Sequence, residues 1–323
     1  MIKTLHVVAV AAAAAIMAPG ASGQQYPVKP IRMVIGFAPG GGTDIVGRIV
    51  AQKLSEALAQ QVMPDNRGGA AGQIGTEIVA RAAPDGYTLL MAHIAALSIL
   101  PSLVPKLPYD PERDFAPISL VAIAPNLLVV HPSLQVTTVR GLIQLGRAHP
   151  GKLRFASPGA GSVQHLAGEL FKLQAKVDML HVPYKGSGQS TIDLIAGQVH
   201  LDFDSVPPVI GHVRSGKLRA LAVTSAKRFA LLPAIPTISE SGLQGFDMST
   251  WWGLVVPAGA SKEVVAKLNG ATLKLLHQND VKETMANVGA EIVGTTPENF
   301  ASFIRSERDK YARIVKDANI KIE

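Results

Sequence analysis

The chain has 323 residues, of which 47% are hydrophobic and 17% charged, so it can bury a core and is not a disordered protein. It contains no cysteine, which excludes disulfides, thiol catalysis, iron–sulfur clusters and cysteine-ligated zinc. The 31 basic and 24 acidic residues give a net charge of +7 without a dense basic block, which favours small anions over nucleic acid as partners.

The first residues have the pattern of a secretory signal peptide. Lys3 precedes an unbroken apolar run from Val7 to Ala18, and small residues follow as far as Gly23. The run is shorter than the ~20 residues that a membrane-spanning helix needs. We therefore predict that residues 1–23 are a signal peptide cleaved near Gly23, and that the mature protein is periplasmic. An uncleaved membrane anchor is the alternative.

The rest of the chain predicts strands that alternate with helices. Short apolar runs ending in glycine or proline predict buried strands, and apolar residues three or four apart predict amphipathic helices. In chain order the patterns predict a strand at 31–37, helices at 43–58 and 74–82, a strand at 87–92, an irregular proline-rich stretch at 101–111, a strand at 127–130 and a helix at 139–148.

The same alternation continues in the second half of the chain. It predicts strands at 153–157, 179–182, 199–203, 219–224 and 250–256, and helices at 162–173, 187–196, 209–214, 262–277, 281–288 and 297–317. Such an alternation is typical of an α/β fold whose parallel sheets are covered by helices on both faces. Proline-rich breaks near Pro125 and Pro233 predict two lobes, in a chain long enough for about two domains.

Three glycine-rich loops, each between a predicted strand and a predicted helix, are candidate ligand-binding segments. They are 37–44, 157–165 and 182–188. Glycine lets the backbone turn sharply, and the N-terminus of the next helix carries about half a positive charge. Such a loop binds an anion through backbone groups alone. The alternative for the first loop is a tight turn in which Asp44 complements the helix dipole.

Several side chains near these loops have two interpretations each. Ser162 is a helix N-cap or a ligand contact, and His165 packs at a helix start or donates a hydrogen bond to an anion. Tyr184 is a candidate pocket wall, whereas Lys185 either adds charge to a carboxylate site or is solvated.

The predicted strand at 199–203 ends beside two acidic residues. Alternation places Asp202 and Asp204 on one side of the chain, where they repel each other unless they are solvated or hydrogen-bonded. The structural alternative for Asp204 is that it caps the turn before Pro207.

Motifs of common enzymes do not occur in the sequence. Ile45 and Gln164 stand where a dinucleotide-binding GxGxxG needs glycine, and neither loop contains the Gly-Lys-Ser/Thr of a phosphate-binding loop. There is no G-x-S-x-G and no H-E-x-x-H, and the histidines are scattered. A hydrolytic triad of Ser162, His165 and an aspartate is conceivable, but this pair at a helix start more readily caps and binds. We predict a binding protein, without enzymatic activity, cofactor or metal.

Many short motifs occur in order from Tyr26 to the C-terminus. They include 37–44 (Phe-Ala-Pro-Gly-Gly-Gly-Thr-Asp), 84–87 (Pro-Asp-Gly-Tyr), Gly161-Ser162 with His165, 181–187 (His-Val-Pro-Tyr-Lys-Gly-Ser), and Trp252-Gly253 with Pro257. On these motifs the chain closely resembles the substrate-binding proteins of tripartite tricarboxylate transporters, the Bug-type receptors. The resemblance implies a two-lobed periplasmic binding protein of type II-like architecture. It would have two doubly wound sheets and a ligand cleft between the lobes.

The resemblance also implies the lobes and the ligand contacts. The first lobe would comprise 24–125 and 226–323, and the second lobe 126–225. By motif, the implied contacts are Phe37, Ala38, Gly41, Thr43 and Asp44 in the first lobe, and Ser157, Gly161, Ser162, His165, Tyr184, Gly186 and Asp204 in the second. The chain departs from the family at 91–95 (Met-Ala-His-Ile-Ala), which replaces a more usual serine- and glycine-rich stretch. His93 there either contacts the ligand or fills space.

The implied function is capture without chemistry. The ligand would be a small carboxylate: a di- or tricarboxylate, an aromatic acid or an acidic amino acid. A monomeric receptor would close around it and deliver it to integral membrane subunits of the transporter, with no nucleic-acid partner. A periplasmic carboxylate sensor that serves a signalling partner is the main alternative, and a periplasmic hydrolase is the less favoured one. The sequence does not specify which carboxylate binds.

Overall fold

The computed structural model describes residues 26–322, so the predicted signal peptide lies outside the described residues. Within that range, none of the helices combines the length and apolar character needed to cross a membrane. The strands are β1 (Ile31–Ile35), β2 (Val62–Asn66), β3 (Thr88–His93), β4 (Phe115–Val130), β5 (Leu153–Ser157), β6 (Met179–Pro183), β7 (Leu201–Ser205), β8 (Arg219–Val223), β9 (Ser249–Pro257) and β10 (Glu291–Ile292).

The helices lie between these strands as the alternation predicts. They are α1 (Gly42–Leu58), α2 (Gln73–Ala80), α3 (Leu100–Leu103), α4 (Val139–Ala148), α5 (Val163–Ala175), α6 (Ser187–Ile195), α7 (Val206–Arg214), α8 (Lys262–Leu276), α9 (Asn279–Asn287) and α10 (Pro297–Asp317). A π-helical turn, Ala95–Ile99, directly precedes α3. The stretch after β3, which the sequence predicts to be irregular, is therefore helical at its start.

The strands form two sheets that share one long strand, β4. The spatial order is β2-β1-β3-β9-β4-β7-β5-β6, and β8 and β10 also pair with β4. The first part of β4, up to Pro125, pairs with β9, and the part from Asn126 onward pairs with β7. The chain therefore passes from one sheet to the other at this point. We refer to the part built around β1 as the first lobe and the part built around β5 as the second lobe.

The prediction of wholly parallel sheets is only partly correct. β1 pairs in parallel with β2 and β3, and β5 pairs in parallel with β6 and β7. However, β4, β8, β9 and β10 form antiparallel pairs. The reason is topological: β4 carries the chain from the first lobe to the second and β9 runs beside it in the opposite direction, so no crossover helix joins them.

Two strands are longer or less apolar than their sequences indicate. The predicted strand at 127–130 is only the end of β4, because Pro117 and Pro125 interrupt the apolar pattern. Pro117 lies where the pairing with β9 shifts register, a position that tolerates the missing N–H. β2 is not predicted at all, because Val62 is its one buried residue.

Strand β9 links the two faces of its sheet to the neighbouring helices. Trp251 and Trp252 point to opposite faces, as successive strand residues must. Trp251 packs edge-on against Phe300 of α10, with ring centroids 5.6 Å apart. On the other face, Trp252 Nε1 donates a hydrogen bond to Thr43 Oγ1 at 3.1 Å, and both side chains are buried. This bond fixes the first turn of α1 against the sheet.

Two helical glycines, one packed against a strand and one at the surface, allow a matched test of core packing. A Cβ at Gly168 would come within 2.2 Å of the Phe155 ring, whereas one at the exposed Gly270 would meet nothing within 4 Å. We expect Gly168→Ala to destabilise the protein by about 1–3 kcal/mol through overpacking. We expect Gly270→Ala to stabilise it by about 1 kcal/mol through helix propensity. Urea unfolding of both variants checks this, and equal effects would contradict the packing described.

Candidate functional site

The first turns of four helices, α1, α5, α6 and α7, meet at one small cavity. The space open to the centre of a water molecule is about 10 Å³, roughly the room of one water. No lysine or arginine is among the described residues that line it. The lining residues are Phe37, Gly41, Gly42, Thr43, His93, Pro158, Gln164, Ser187 and Ser205.

The helix ends give this cavity its electrostatic character. The N-termini of α1, α6 and α7 have no side-chain cap, so side chains do not occupy their first N–H groups. α7 contributes the fewest donors, because Pro207 and Pro208 lack an N–H. With no cationic side chain in the lining, the positive potential comes from the backbone dipoles. The arrangement suits an anion bound by backbone N–H groups.

The loops of the two lobes touch each other through glycines. The backbone N–H of Ala38 donates a hydrogen bond to the carbonyl of Lys185 at 3.2 Å. A Cβ at Gly186 would lie 3.0 Å from the Ala38 nitrogen, and one at Gly188 would lie 2.4 Å from the Pro39 carbonyl. The close approach therefore depends on missing side chains. Because the cavity has room for about one water and the loops of the two lobes are in contact beside it, a larger ligand needs the loops to move apart.

Asp204 holds the second-lobe side of the cavity in place. Its Oδ1 accepts hydrogen bonds from Ser187 Oγ at 2.7 Å, from the Ser205 N–H at 2.8 Å and from Gln164 Nε2 at 3.4 Å. All three donors belong to residues that line the cavity. Thr191 Oγ1 donates to the other carboxylate oxygen at 3.4 Å. Asp204 itself is buried behind the lining, where it positions the groups that face a ligand.

Asp202 lies beside Asp204 and is also fully buried. Neither of its oxygens has a hydrogen-bond partner of good geometry among the described residues, although the Ser190 hydroxyl lies near enough to act on the charge. Burial first, and the charge of Asp204 second, raise the pKa of Asp202 well above its ordinary value. Burial raises the pKa of Asp204 to about 6, against the lowering effect of its donors. Burial therefore favours the protonated form of Asp202, whereas the hydrogen bonds that Asp204 accepts favour its charged form.

His93 faces the cavity as a neutral ring. Its Nδ1 accepts a hydrogen bond from the Ala95 N–H at 3.1 Å, which assigns the ring proton to Nε2. The ring packs edge-on against Phe37, with centroids 4.7 Å apart. Burial lowers the pKa of His93 to about 3, so it stays uncharged across the physiological range. The residue offers a hydrogen-bond donor without adding a positive charge.

Of the residues that the sequence analysis singles out in the first lobe, four line the cavity: Phe37, Gly41, Thr43 and His93. Asp44 instead holds the loop together. Its carboxylate accepts from the Gly40 N–H, from Arg48 and from Asn66, each at 2.9 Å. These bonds outweigh the effect of burial and lower its pKa. Ala38 contributes the bond between the two loops.

The second-lobe candidates mostly lie behind the lining. Ser162 Oγ accepts from the His165 N–H at 3.1 Å and so caps α5. The His165 ring stacks on His181, with centroids 4.2 Å apart, and its Nδ1 accepts from the Gly161 N–H. Ser157 Oγ lies 2.6 Å from His181 Nε2. These contacts build the wall that carries Pro158 and Gln164.

Tyr184, Lys185 and Gly186 lie in the loop before α6. The Tyr184 hydroxyl donates to Asp193 at 2.8 Å rather than facing the cavity. The Lys185 carbonyl accepts the hydrogen bond from the Ala38 N–H, and the Lys185 side chain is exposed. Gly186 packs against Ala38. The three residues therefore shape the contact between the lobes.

Five lining residues are not among the predicted contacts: Gly42, Pro158, Gln164, Ser187 and Ser205. The first four lie inside the glycine-rich loops that the sequence identifies, so the right segments were found but not the right side chains. Ser205 precedes the Pro207-Pro208 pair at the start of α7. Proline in a first helical turn is the signal that could have marked it.

The acidic pair predicts a pH dependence that Asp202→Asn removes. Because its folded-state pKa is raised above the ordinary value of 3.8, the stability that protonated Asp202 contributes is full below that value and is lost as pH rises. The side chain of the variant cannot ionise at this position. Its free energy of unfolding, relative to that of the wild type, should therefore rise by about 1.4 kcal/mol per pH unit from about pH 4 until the pH reaches the folded-state pKa of Asp202, and should then level off.

Urea unfolding at several pH values measures this difference. The buried histidines titrate in both proteins and cancel in the comparison. Asp178→Asn is the control, because it removes a carboxylate that lies at the surface. A difference between Asp202→Asn and the wild type that does not change with pH would contradict the raised pKa of Asp202.

The chain has relatives over nearly its whole length. Residues 46–320 match the tripartite tricarboxylate transporter family receptor model. BugT of Bordetella pertussis is 38% identical, and the match covers 100% of this chain and 99% of BugT. The solved structure of the periplasmic binding protein BugD is 35% identical with a TM-score of 0.89, and covers 92% of this chain and 100% of BugD.

Two further solved structures carry a named ligand. An R. palustris protein with adipate is 35% identical, with a TM-score of 0.89 and coverage of 92% of this chain and 99% of that one. MatC from Rhodopseudomonas palustris with bound malate is 32% identical, with a TM-score of 0.86 and coverage of 90% and 100%.

These matches confirm two predictions. The two-lobed α/β fold of periplasmic binding proteins is correct, as is the prediction of a receptor rather than an enzyme. The chain belongs to the tripartite tricarboxylate transporter receptor family, among its Bug-type members.

Proposed function

We propose that the protein is a periplasmic receptor that captures a small carboxylate between its lobes. It then delivers the ligand to the integral membrane subunits of a tripartite tricarboxylate-type transporter. The observation that carries the proposal is the meeting of four helix N-termini at one cavity without a cationic side chain. Such a site favours an anion through fixed backbone dipoles.

The site explains how capture closes the molecule. α1 belongs to the first lobe, and α5, α6 and α7 belong to the second, so a carboxylate between them bonds to both sides. A ligand that gains more contacts in the closed form shifts the equilibrium toward it. The closed form in turn presents the contact between Ala38 and Lys185 that the open form lacks. Membrane subunits that recognise this form would receive loaded receptors in preference to empty ones.

The named ligands of two relatives agree with the proposed ligand class. Adipate and malate are both small dicarboxylates, and the proteins that hold them share the fold of this chain. The signal-peptide pattern and the periplasmic relatives support a periplasmic receptor cleaved near Gly23. We further propose that it acts as a monomer without cofactor. Its first lobe would comprise 24–125 and 226–323, and its second lobe 126–225.

The proposed role of each residue follows from its position relative to the cavity. Phe37, Gly41, Thr43 and His93 contact the ligand directly. Asp204 acts through the groups that it positions. Asp44, Ser157, Gly161, Ser162, His165 and Tyr184 hold the loops in shape, and Ala38 and Gly186 form the contact between them.

A binding screen tests the ligand class. Purified mature protein should bind one carboxylate molecule per chain, measured by isothermal titration calorimetry against mono-, di- and tricarboxylates, aromatic acids and acidic amino acids. At about 100 times the dissociation constant, the ligand should stabilise the fold by about 2.7 kcal/mol. Neutral sugars of similar size are the control. Tight binding of sugars alone, or turnover of a carboxylate, would overturn the proposal.

The loop contact predicts a variant that loses affinity without losing stability. Gly188 lies in the first turn of α6, and the three atoms nearest to a Cβ there belong to the 37–44 loop of the other lobe. Gly188→Ala should therefore hinder closure and weaken carboxylate binding at least about tenfold, since alanine is otherwise favoured in a helix. The stability of the unliganded protein should not fall.

Gly211→Ala in α7 is the matched control, because a Cβ there meets nothing within 4 Å. It should leave affinity unchanged. If Gly188→Ala binds as tightly as the wild type, ligand capture does not need the observed contact between the loops.

A further inference from the structure

Gln164 carries a buried oxygen that nothing in the described chain satisfies. The side chain is 2% exposed and lines the cavity. Its Nε2 donates to Asp204 Oδ1, and its Oε1 has no hydrogen-bond partner among residues 26–322. Asp204 Oδ1 also accepts from Ser187 and Ser205, so it is an acceptor and holds the amide nitrogen toward itself. The amide orientation is therefore set, and Oε1 is an unpaired acceptor.

His93 supplies the complementary group on the first-lobe side. Its Nδ1 is engaged by the Ala95 N–H, so Nε2 carries the ring proton. The residue lines the same cavity as Gln164, so Nε2 is the ring nitrogen left to donate to a ligand there. The cavity thus contains one buried acceptor without a partner and one neutral donor, in addition to the backbone N–H groups at the helix ends.

We propose that Gln164 and His93 are specificity-determining residues that select carboxylates bearing a hydroxyl group. The Gln164 oxygen accepts a hydrogen bond from the ligand hydroxyl, and His93 Nε2 donates to the oxygen of that same hydroxyl. The inference rests on the proposed function, because it assumes that the cavity binds a carboxylate. It narrows the ligand class to hydroxy-carboxylates.

The hydrogen-bonding capacity of a hydroxyl group matches this pair. A hydroxyl has one donor hydrogen and two acceptor lone pairs, so it can satisfy Gln164 and accept from His93. An ammonium has three donors and no acceptor, so it would leave His93 Nε2 without a partner. A methylene at the same place would leave the Gln164 oxygen buried and unpaired. Such an unmade bond lowers affinity by about tenfold or more.

The named ligands of the relatives do not determine this preference. Malate carries a hydroxyl and adipate does not, and both bind to proteins with this fold. The discrimination must therefore come from side chains at the cavity rather than from the shared backbone site. Gln164 is such a side chain, since its first-turn position in α5 places it on the lining.

The test compares dissociation constants by calorimetry at neutral pH for ligands matched in length and charge. The pairs are malate with succinate, 2-hydroxyglutarate with glutarate, and 2-hydroxyadipate with adipate, using both enantiomers of each hydroxy acid, with aspartate and glutamate as ammonium analogues. For the chain length that fits, the hydroxy acid should bind about tenfold or more tightly than the plain acid. Equal affinities, or tightest binding by the amino acid, would overturn the inference.

Variants then locate the preference. Gln164→Met keeps the length of the side chain and removes the amide, so it should lower the ratio of the two dissociation constants severalfold, and the preference that remains is the one that His93 supplies. Thr191→Val is the matched control, because it removes another donor to Asp204 at the same 3.4 Å without touching the cavity lining. It should keep the wild-type ratio.

Thermal unfolding checks that both variants fold, and the wild-type comparison stands even if one does not. If Thr191→Val reduces the preference for hydroxy acids as much as Gln164→Met does, the preference depends on Asp204, and the proposed role of Gln164 is wrong. If no carboxylate of any length binds to the wild type, the proposed function itself fails, which is distinct from equal binding of paired acids.

Discussion

The structure depends on backbone N–H groups that the protein leaves without side-chain partners. Helix ends normally satisfy their first N–H groups with a capping side chain or with water. Here α1 and α6 begin at glycines that provide no cap, and they do so at the same cavity. The glycines also let the loops of the two lobes approach within contact distance. Glycine at these positions therefore leaves backbone N–H groups available to an anion and also lets the two loops come into contact.

The second constraint is the negative charge of Asp204 close to this site. A carboxylate behind an anion pocket would oppose binding if its charge were free. Instead, Ser187, Ser205, Gln164 and Thr191 all donate to it, and burial raises the pKa of its neighbour Asp202. The carboxylate of Asp204 therefore orients the groups that line the cavity. Because the same residues both satisfy Asp204 and face the cavity, buried polar groups set the shape of the second-lobe wall.

Sequence patterns predict the segments of the site better than its side chains. Glycine-rich loops before helices are local features, so 37–44, 157–165 and 182–188 are found directly. The bounds of α4, β5 and α10 are also predicted as the structure has them. The two helices have a clear apolar period and follow a threonine cap, and β5 is a short run that ends at a glycine-rich loop.

Contacts that only the folded chain creates add structural roles that the local pattern does not show. Asp44 resembles a ligand contact until Asn66 and Arg48 are seen to occupy its oxygens. Ser162 and His165 support the wall because His181 stacks from another strand. The long strand β4 is hidden by Pro117 and Pro125, and Pro117 is tolerated because the pairing with β9 shifts register there. Local pattern contains none of this information.

A crystal structure of the mature protein with a carboxylate bound tests the central claim most directly. We expect a carboxylate group of the ligand within hydrogen-bond distance of backbone N–H groups in the first turns of α1 and α6, with the loops closed over it. A carboxylate held by lysine or arginine side chains, with these helix ends pointing elsewhere, would contradict the account.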